Sequence, residues 1–346
     1  MDAAARRRLL AWYRRTRRDL PWRHTTDPYA ILVSEVMLQQ TRVDVVVPYF
    51  TRWMERFPTL AALAAASGEE VHEAWAGLGY YRRARNLHAA AKEAVAQHGG
   101  RLPATAEALR EMPGIGDYTA GAVASIAFGE RVPCVDGNVV RVAARLEGIA
   151  EPDGPALRRR IAGLAAQWVP APSPGDWNQA VMELGATLCV PRNPRCGDCP
   201  VASACRARAE GKQATIPRPR KAKPSPVEQR HFALVQQGGK TLLVRNPASG
   251  LLAGLWMLPG GPATTPLARL VREQTGVCIR TGRPRASARH LFSHRTWKME
   301  LRAAAVLEVS HAQPQSETWW CPEGRLATAA LPSAMRVLLR AAEGKP

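Results

Sequence analysis

Residues 111–127 read EMPGIGDYTAGAVASIA. A helix-forming run ends at Met112, Pro113 and Gly114 turn the chain, and an Ala-rich run starts near Asp117. Proline cannot continue the first helix, and glycine takes the backbone conformation of a tight turn at no steric cost. The stretch therefore predicts a helix, a hairpin and a second helix. The backbone N–H groups of Gly114 and Gly116 would stand at the start of that second helix, where free donors and the helix dipole both favour an anion. An ordinary helix-to-helix turn leaves the same local signature, so the anion needs support from the rest of the chain.

Composition gives that support. The 346 residues carry 48 Lys and Arg against 29 acids, a net charge of +19. Such a field draws polyanions, and nucleic acid fits best because neutralised phosphates release counterions. A generally basic proteome is the bland alternative. No apolar run approaches the ~20 residues needed to cross a bilayer, so no membrane partner is expected. The N-terminus, MDAAARRRLLAWYRRTRRDLPW, sets Leu9, Leu10 and Tyr13 at helical spacing. It reads as the first helix of a cytoplasmic protein, not as a transit peptide.

Outward from the hairpin, apolar residues at 3.6 spacing predict helices over 59–66, 69–76, 83–97, 105–112, 118–127, 138–147, 156–168 and 177–188. IPRPRKAKPSPVEQ, residues 216–229, is proline-rich and basic and reads as an extended linker. Beyond it HFALVQQ and TLLVRN flank a GGK turn, MELRAAAVLEVS is another strand, and 266–276 is one amphipathic helix. The expected organisation is an all-α region over 1–188, a cysteine loop over 189–215, the linker, and a separate α+β domain over 230–346.

Two carboxylates invite chemistry. DPYAILVSEVMLQQT starts a helix at Asp27–Pro28, with Glu35 on the same face as Ile31 and Leu38. Lost hydration raises the pKa of such a carboxyl towards the range of a general acid. In RVPCVDGNVVRVAARL, residues 131–146, Asp136 stands just before a helical run as an N-cap, where backbone N–H groups favour its anion. An acid kept protonated beside an anion suits cleavage of a glycosidic bond through an oxocarbenium-like transition state. Singly, each has a plain reading: a solvated helix residue and a simple cap.

Four of the seven cysteines crowd into LCVPRNPRCGDCPVASAC, at Cys189, Cys196, Cys199 and Cys205. Such a cluster reads as a metal centre rather than a disulfide framework. Spacing alone leaves zinc and an iron–sulfur cluster open.

These motifs together resemble the helix-hairpin-helix DNA glycosylases that carry a four-iron cluster. PWR (21–23), SEVMLQQT (34–41), GLGYYRRARNLH (77–88) and VDGNVVRV (135–142) are similar to the adenine-specific, MutY-type branch. The resemblance implies a [4Fe-4S] cluster on the four cysteines and a monomer acting on duplex DNA with A:8-oxoguanine or A:G mispairs. It implies that Glu35 protonates the adenine, that Asp136 stabilises or traps the sugar cation, and that Tyr118 and Asn138 support them. Trp22, Arg23, Leu38, Val43, Gln179 and Met182 match positions lining the adenine pocket. Gln40, Thr41, Leu78 and Tyr80 match positions that fill the gap and read the 8-oxoguanine side. Tyr118 stands where strand-cutting relatives carry a lysine nucleophile, so a monofunctional enzyme is expected.

The C-terminal region resembles a Nudix-like recognition domain, with Phe292, Ser293 and His294 of FSHRTW (292–297) inspecting 8-oxoguanine. Alignment on Gly276 keeps Glu273 but puts Leu270 and Gln274 where magnesium-holding glutamates belong, so binding rather than hydrolysis is expected. A nucleotide pyrophosphatase, a non-catalytic iron–sulfur DNA binder and a glycosylase for another base are the rivals.

Overall fold

The computed structural model describes residues 1–220, 224–309 and 313–344. The chain forms two compact units, Met1–Ala66 with Arg85–Ala222, and Ser67–Ala84 with Lys223–Pro346. Among the described residues no helix is long and apolar enough to cross a membrane.

The first unit is helical. Its helices are α1 (Ala3–Thr16), α2 (Pro28–Leu38), α3 (Val43–Arg56) and α4 (Leu60–Ala65). After α5 (Gly68–Ala74), which belongs to the second unit, α6 (Arg82–Gln97) returns the chain to the first. There follow α7 (Ala106–Glu111), α8 (Asp117–Ala127), α9 (Gly137–Glu147), α10 (Pro155–Trp168), α11 (Pro174–Thr187) and the short α12 (Arg206–Ala209). Local chemistry sets the starts. Asp27 caps α2 through both carboxylate oxygens with Pro28 in the first turn; Thr105 caps α7; Asp136 caps α9. The expected helices fall within three residues of these bounds. Between α7 and α8 lies the predicted hairpin: Gly114 has φ +73°, and a Cβ there would strike the Asn86 side chain. Only glycine fits.

Helix α2 is apolar nearly all round, with nine of its eleven residues buried, as a central helix must be. A core of Leu9, Tyr13, Val140, Ile161, Trp177 and Leu184 joins α1, α9, α10 and α11. Gly185 lets α11 approach α9 closely, because a Cβ there would meet Asn138 Cβ at 2.5 Å. That contact fixes Asn138 against the next helix.

The second unit is a mixed sheet with flanking helices. Strands β1 (Val227–Gln237), β2 (Lys240–Arg245), β3 (Trp256–Met257), β4 (Gly260–Pro262), β5 (Val277–Leu291), β6 (Thr296–Val309) and β7 (Thr318–Pro322) accompany α13 (Leu267–Thr275), α14 (Glu323–Leu326) and α15 (Ser333–Ala342). The main order is β3-β2-β1-β6-β5, with β1 and β6 parallel and β5 and β6 antiparallel. The expected β1–β2 hairpin, β6 and α13 are present. The longest strand, β5, gives no strand signal in the sequence, because RTGRPRASARH breaks the apolar alternation.

Candidate active site

Helices α2, α8, α9 and α11 and the PWR turn enclose a pocket of about 240 Å³. Trp22, Arg23, Glu35, Leu38, Thr41, Val43, Tyr118, Asp136, Asn138, Gln179 and Met182 all line it. Residues more than 140 positions apart in the chain thus meet at one cleft.

Glu35 is 5% exposed. Tyr118 Oη donates to its Oε2 at 2.5 Å. Burial raises the Glu35 carboxyl most, the Tyr118 hydrogen bond lowers it, and the Asp136 charge raises it, which together bring it up to about 7. At neutral pH it is poised to hold or release a proton. Burial, and then the Glu35 charge, hold the Tyr118 phenol well above its ordinary value, so it remains a donor.

Asp136 is held differently. Its Oδ1 accepts from Val139 N at 2.7 Å and its Oδ2 from Asn138 Nδ2 at 2.7 Å. Arg141 then donates to Asn138 Oδ1, to Gly185 O and, through Nε, to Cys189 O, each at 2.8 Å. The carboxylate is thereby tied, through Asn138 and Arg141, to the first cysteine of the metal loop.

Sequence reasoning missed two further groups. Glu183 lines the pocket at 1% exposure, accepting from Arg18 Nε and NH2 (2.8 and 2.7 Å) and from Arg23 NH2 (2.7 Å). Burial works to raise its carboxyl, but the two guanidinium groups win and hold it at about 2. Asn178, also buried, donates to Ser125 Oγ and Val132 O and accepts from Cys134 N, pinning the extended segment that leads to Asp136. An apolar helix face interrupted by Glu183 was the available signal.

The remaining expected residues stand elsewhere. Gln40 takes a left-handed backbone, φ +57°, at the end of α2. Space in front of Gly116 is open, as a ligand approaching the hairpin backbone requires. Leu78, Tyr80, Phe292, Ser293 and His294 belong to the second unit. There Tyr80 is 50% exposed at φ +47°, with the Arg83 guanidinium over its ring. The Phe292 ring packs edge-on against His290 and Trp297. Gln274, where a Nudix hydrolase would place a glutamate, instead donates to Gly260 O and accepts from Gly260 N, both at 2.9 Å.

Residues 33–167 match the HhH-GPD superfamily of base excision DNA repair proteins, 230–341 match the NUDIX domain, and 189–205 match the iron–sulfur binding domain of endonuclease III. A human protein named adenine DNA glycosylase is 38% identical over 409 aligned residues, covering 99% of this chain and 74% of its own length. The chain belongs to the adenine DNA glycosylase family.

Membership makes it an enzyme, a hydrolase of the N-glycosidic bond in base excision repair. A rat adenine DNA glycosylase is 44% identical across 74% of this chain; the chain spans 60% of that relative's length. One from Mycolicibacterium smegmatis is 47% identical over 205 residues, 59% of this chain and 69% of its own. Among solved structures, a thermostable thymine-DNA glycosylase superposes with TM-score 0.54 at 30% identity, covering 59% of this chain and 95% of its own. An endonuclease III–DNA complex, at TM-score 0.51 and 22% identity over 60% of this chain and 94% of its own, shares the fold.

The cofactor of this adenine DNA glycosylase family member is a [4Fe-4S] cluster. Cys189, Cys196, Cys199 and Cys205 ring a single recess beside Arg145. They form no disulfide. Thiol sulfur is the donor that iron–sulfur clusters use, and four thiols face this one recess. Burial, with the charges of the three neighbouring cysteines, pushes Cys199 up to about 11. A thiol so raised needs a cationic centre to ionise. Arg145, 3% exposed, donates to the carbonyls of Val190, Pro191 and Ile216 and to Cys189 Sγ, fastening the loop to α9.

Proposed function

We propose that the protein is a monofunctional DNA glycosylase that removes adenine mispaired with 8-oxoguanine or guanine in duplex DNA. Glu35 acts as the general acid and Asp136 as the anion that stabilises, or traps, the sugar cation. The observation that carries this is the unequal treatment of two carboxyls in one pocket. Glu35 is dry and raised to about 7; Asp136 accepts two hydrogen bonds, one at each oxygen. A protonated Glu35 can give its proton to the departing base, so that adenine leaves neutral. Asp136, held by Val139 and Asn138, then faces a positive sugar.

Trp22, Leu38, Val43 and Met182 offer apolar and aromatic surface to a base swung out of its stack. Arg23 and Gln179 supply donors, and Glu183, held ionised, supplies an acceptor. Gln40, Thr41, Leu78 and Tyr80 fill the gap left behind, and Phe292, Ser293 and His294 inspect the opposite base. Gly114 and Gly116 hold a backbone phosphate. The cluster binds to the four cysteines and fixes the loop that carries Cys189 O. With Tyr118 where an amine nucleophile would stand, no Schiff base forms and strand cleavage is absent. We divide the chain into a catalytic region (1–188), a cluster loop (189–215), a linker (216–229) and a recognition domain (230–346). It works as a monomer in the cytoplasm, at the nucleoid.

The test is a duplex series carrying A:8-oxoguanine, A:G, thymine glycol and uracil, assayed with wild type and Glu35→Gln. Adenine release from the first two, lost in the variant while duplex binding persists, supports the reading. Release that survives Glu35→Gln removes Glu35 from its role, and release of thymine glycol or uracil instead overturns the substrate.

A further inference from the structure

Asp136 is anchored on its C-terminal side by α9, through Val139 N and Asn138 Nδ2. On its other side runs a segment with neither helix nor strand, residues 128–135, which joins α8 to α9. Buried backbone of that kind must find partners for its polar groups. Here one side chain supplies two of them. Asn178 Nδ2 donates to Val132 O at 2.9 Å, and Asn178 Oδ1 accepts from Cys134 N at 3.2 Å. A carbonyl and an N–H met together fix which way the amide points. Asn178 Nδ2 also donates to Ser125 Oγ of α8 at 2.8 Å.

Helix α8 receives the same segment at two further points. A Cβ at Gly121 would strike Pro133 O, so glycine alone lets that carbonyl approach. Cys134 Sγ donates to Tyr118 O at 3.6 Å. Asn178 is 4% exposed and the residues it holds are equally dry, Ser125 at 2% and Cys134 at 1%.

A buried amide with its bonds satisfied can serve only to stabilise a loop. The placement of this one does more. Val132 and Cys134 lie four and two residues before Asp136. Helix α11 carries Gln179, Met182 and Glu183 on the pocket wall, and α8 carries Tyr118 there, while Asn178 itself does not line the pocket. One amide thus ties two walls to the chain that delivers the carboxylate.

We propose that Asn178 is a positioning residue for Asp136. It sets where that carboxylate stands opposite Glu35, and so acts on the chemical step of base removal and not on DNA binding. The inference rests on the role given to Asp136 above. Displacing a reacting group by ~1 Å costs on the order of 100-fold in rate.

The experiment uses the full, cluster-loaded chain and an A:8-oxoguanine duplex. Asn178→Leu removes all three hydrogen bonds; Ser125→Ala removes only the one outside the segment. Single-turnover adenine release is measured against enzyme concentration, with the melting temperature alongside. In Asn178→Leu the rate at saturation should fall roughly 30- to 100-fold, with the half-saturating concentration unchanged within about threefold. Ser125→Ala should lower the melting temperature yet keep the saturated rate within about threefold. In an Asp136→Asn background, Asn178→Leu should cost less than about twofold more, because nothing is left to position.

A wild-type rate in Asn178→Leu overturns the proposal, whatever happens to its melting temperature. So does an equal rate loss in Ser125→Ala, or a full extra loss in the Asp136→Asn background. Should Asn178→Leu fail to fold or to hold its cluster, Asn178→Ser, small enough to admit a water, carries the same comparison. Asp136→Asn that releases adenine at the wild-type rate sinks the functional reading itself. A rate lost in Asp136→Asn but kept in Asn178→Leu sinks only the positioning role.

Discussion

Tyr118 Oη donates to Glu35 Oε2 across 2.5 Å, although the two residues lie 83 positions apart in the chain. This bond lowers a carboxyl that burial raises, and the balance lies at about 7. A general acid is useful while protonated, so adenine release should decline as pH rises through about 7. In Tyr118→Phe the lowering contact is gone, and the alkaline limb should move to higher pH. Single-turnover rates from pH 5 to 9 check both. A limb that stays in place would show that Glu35 is not the titrating group.

The same group makes a stability prediction. Its folded value lies above the ordinary carboxyl value of 4.5. Protonated Glu35 is therefore accommodated below that value, and the benefit is lost as pH rises through about 7. The shift corresponds to about 3 kcal/mol at full ionisation. Glu35→Gln should accordingly raise the melting temperature, and more at pH 8 than at pH 5.

For Asp136→Asn the two readouts should separate. Asparagine caps a helix about as well as aspartate, so α9 and the melting temperature should change little, by less than about 1 kcal/mol. The negative charge opposite the sugar is lost, and adenine release should fall by 10³-fold or more. A variant that loses both fold and activity would assign Asp136 to capping alone.

Glu183 answers both Arg18 and Arg23, whose side chains are 38% and 9% exposed. Glu183→Gln leaves the more buried Arg23 without its counter-charge, at a cost of about 3–5 kcal/mol. The Glu183 carboxyl is held down at about 2. Its contribution is therefore present above the usual carboxyl range and fades as pH falls towards 2. Urea denaturation of both proteins at pH 7 and pH 3 should show the gap narrowing at the lower pH.

Arg145→Leu should release the metal loop. The substitution strips donors from several buried carbonyls, each costing about 1–3 kcal/mol when left unpaired. Iron content and visible absorbance should fall together with the melting temperature. Retention of a full cluster would show that the loop holds without this anchor.

Much of this was legible in the chain. Helix starts follow from Asp27–Pro28, Thr105 and Asp136 because capping and proline are local effects. Cys189, Cys196, Cys199 and Cys205 lie within seventeen residues, so their crowding is visible in the chain, while the kind of centre is not. Glu35 and Asp136 could be nominated from their apolar and capping contexts. β5 could not be found, because its arginines and proline hide the alternation that marks a strand. Glu183 was passed over because one acid on an apolar face has no local sign of its partners.

The sequence by itself determined which four cysteines crowd into one loop, where the helices begin and turn, and which two carboxyls were worth pairing. Only the tertiary structure decided that Tyr118 meets Glu35, that Arg141 bridges Asn138 to the cysteine loop, and that Ser67–Ala84 packs with the C-terminal unit. The physical reason is range. Caps, turns and ligand spacing act over a few residues and are written in order along the chain. The proton affinity of a buried carboxyl depends on excluded water and on neighbours that only folding brings near.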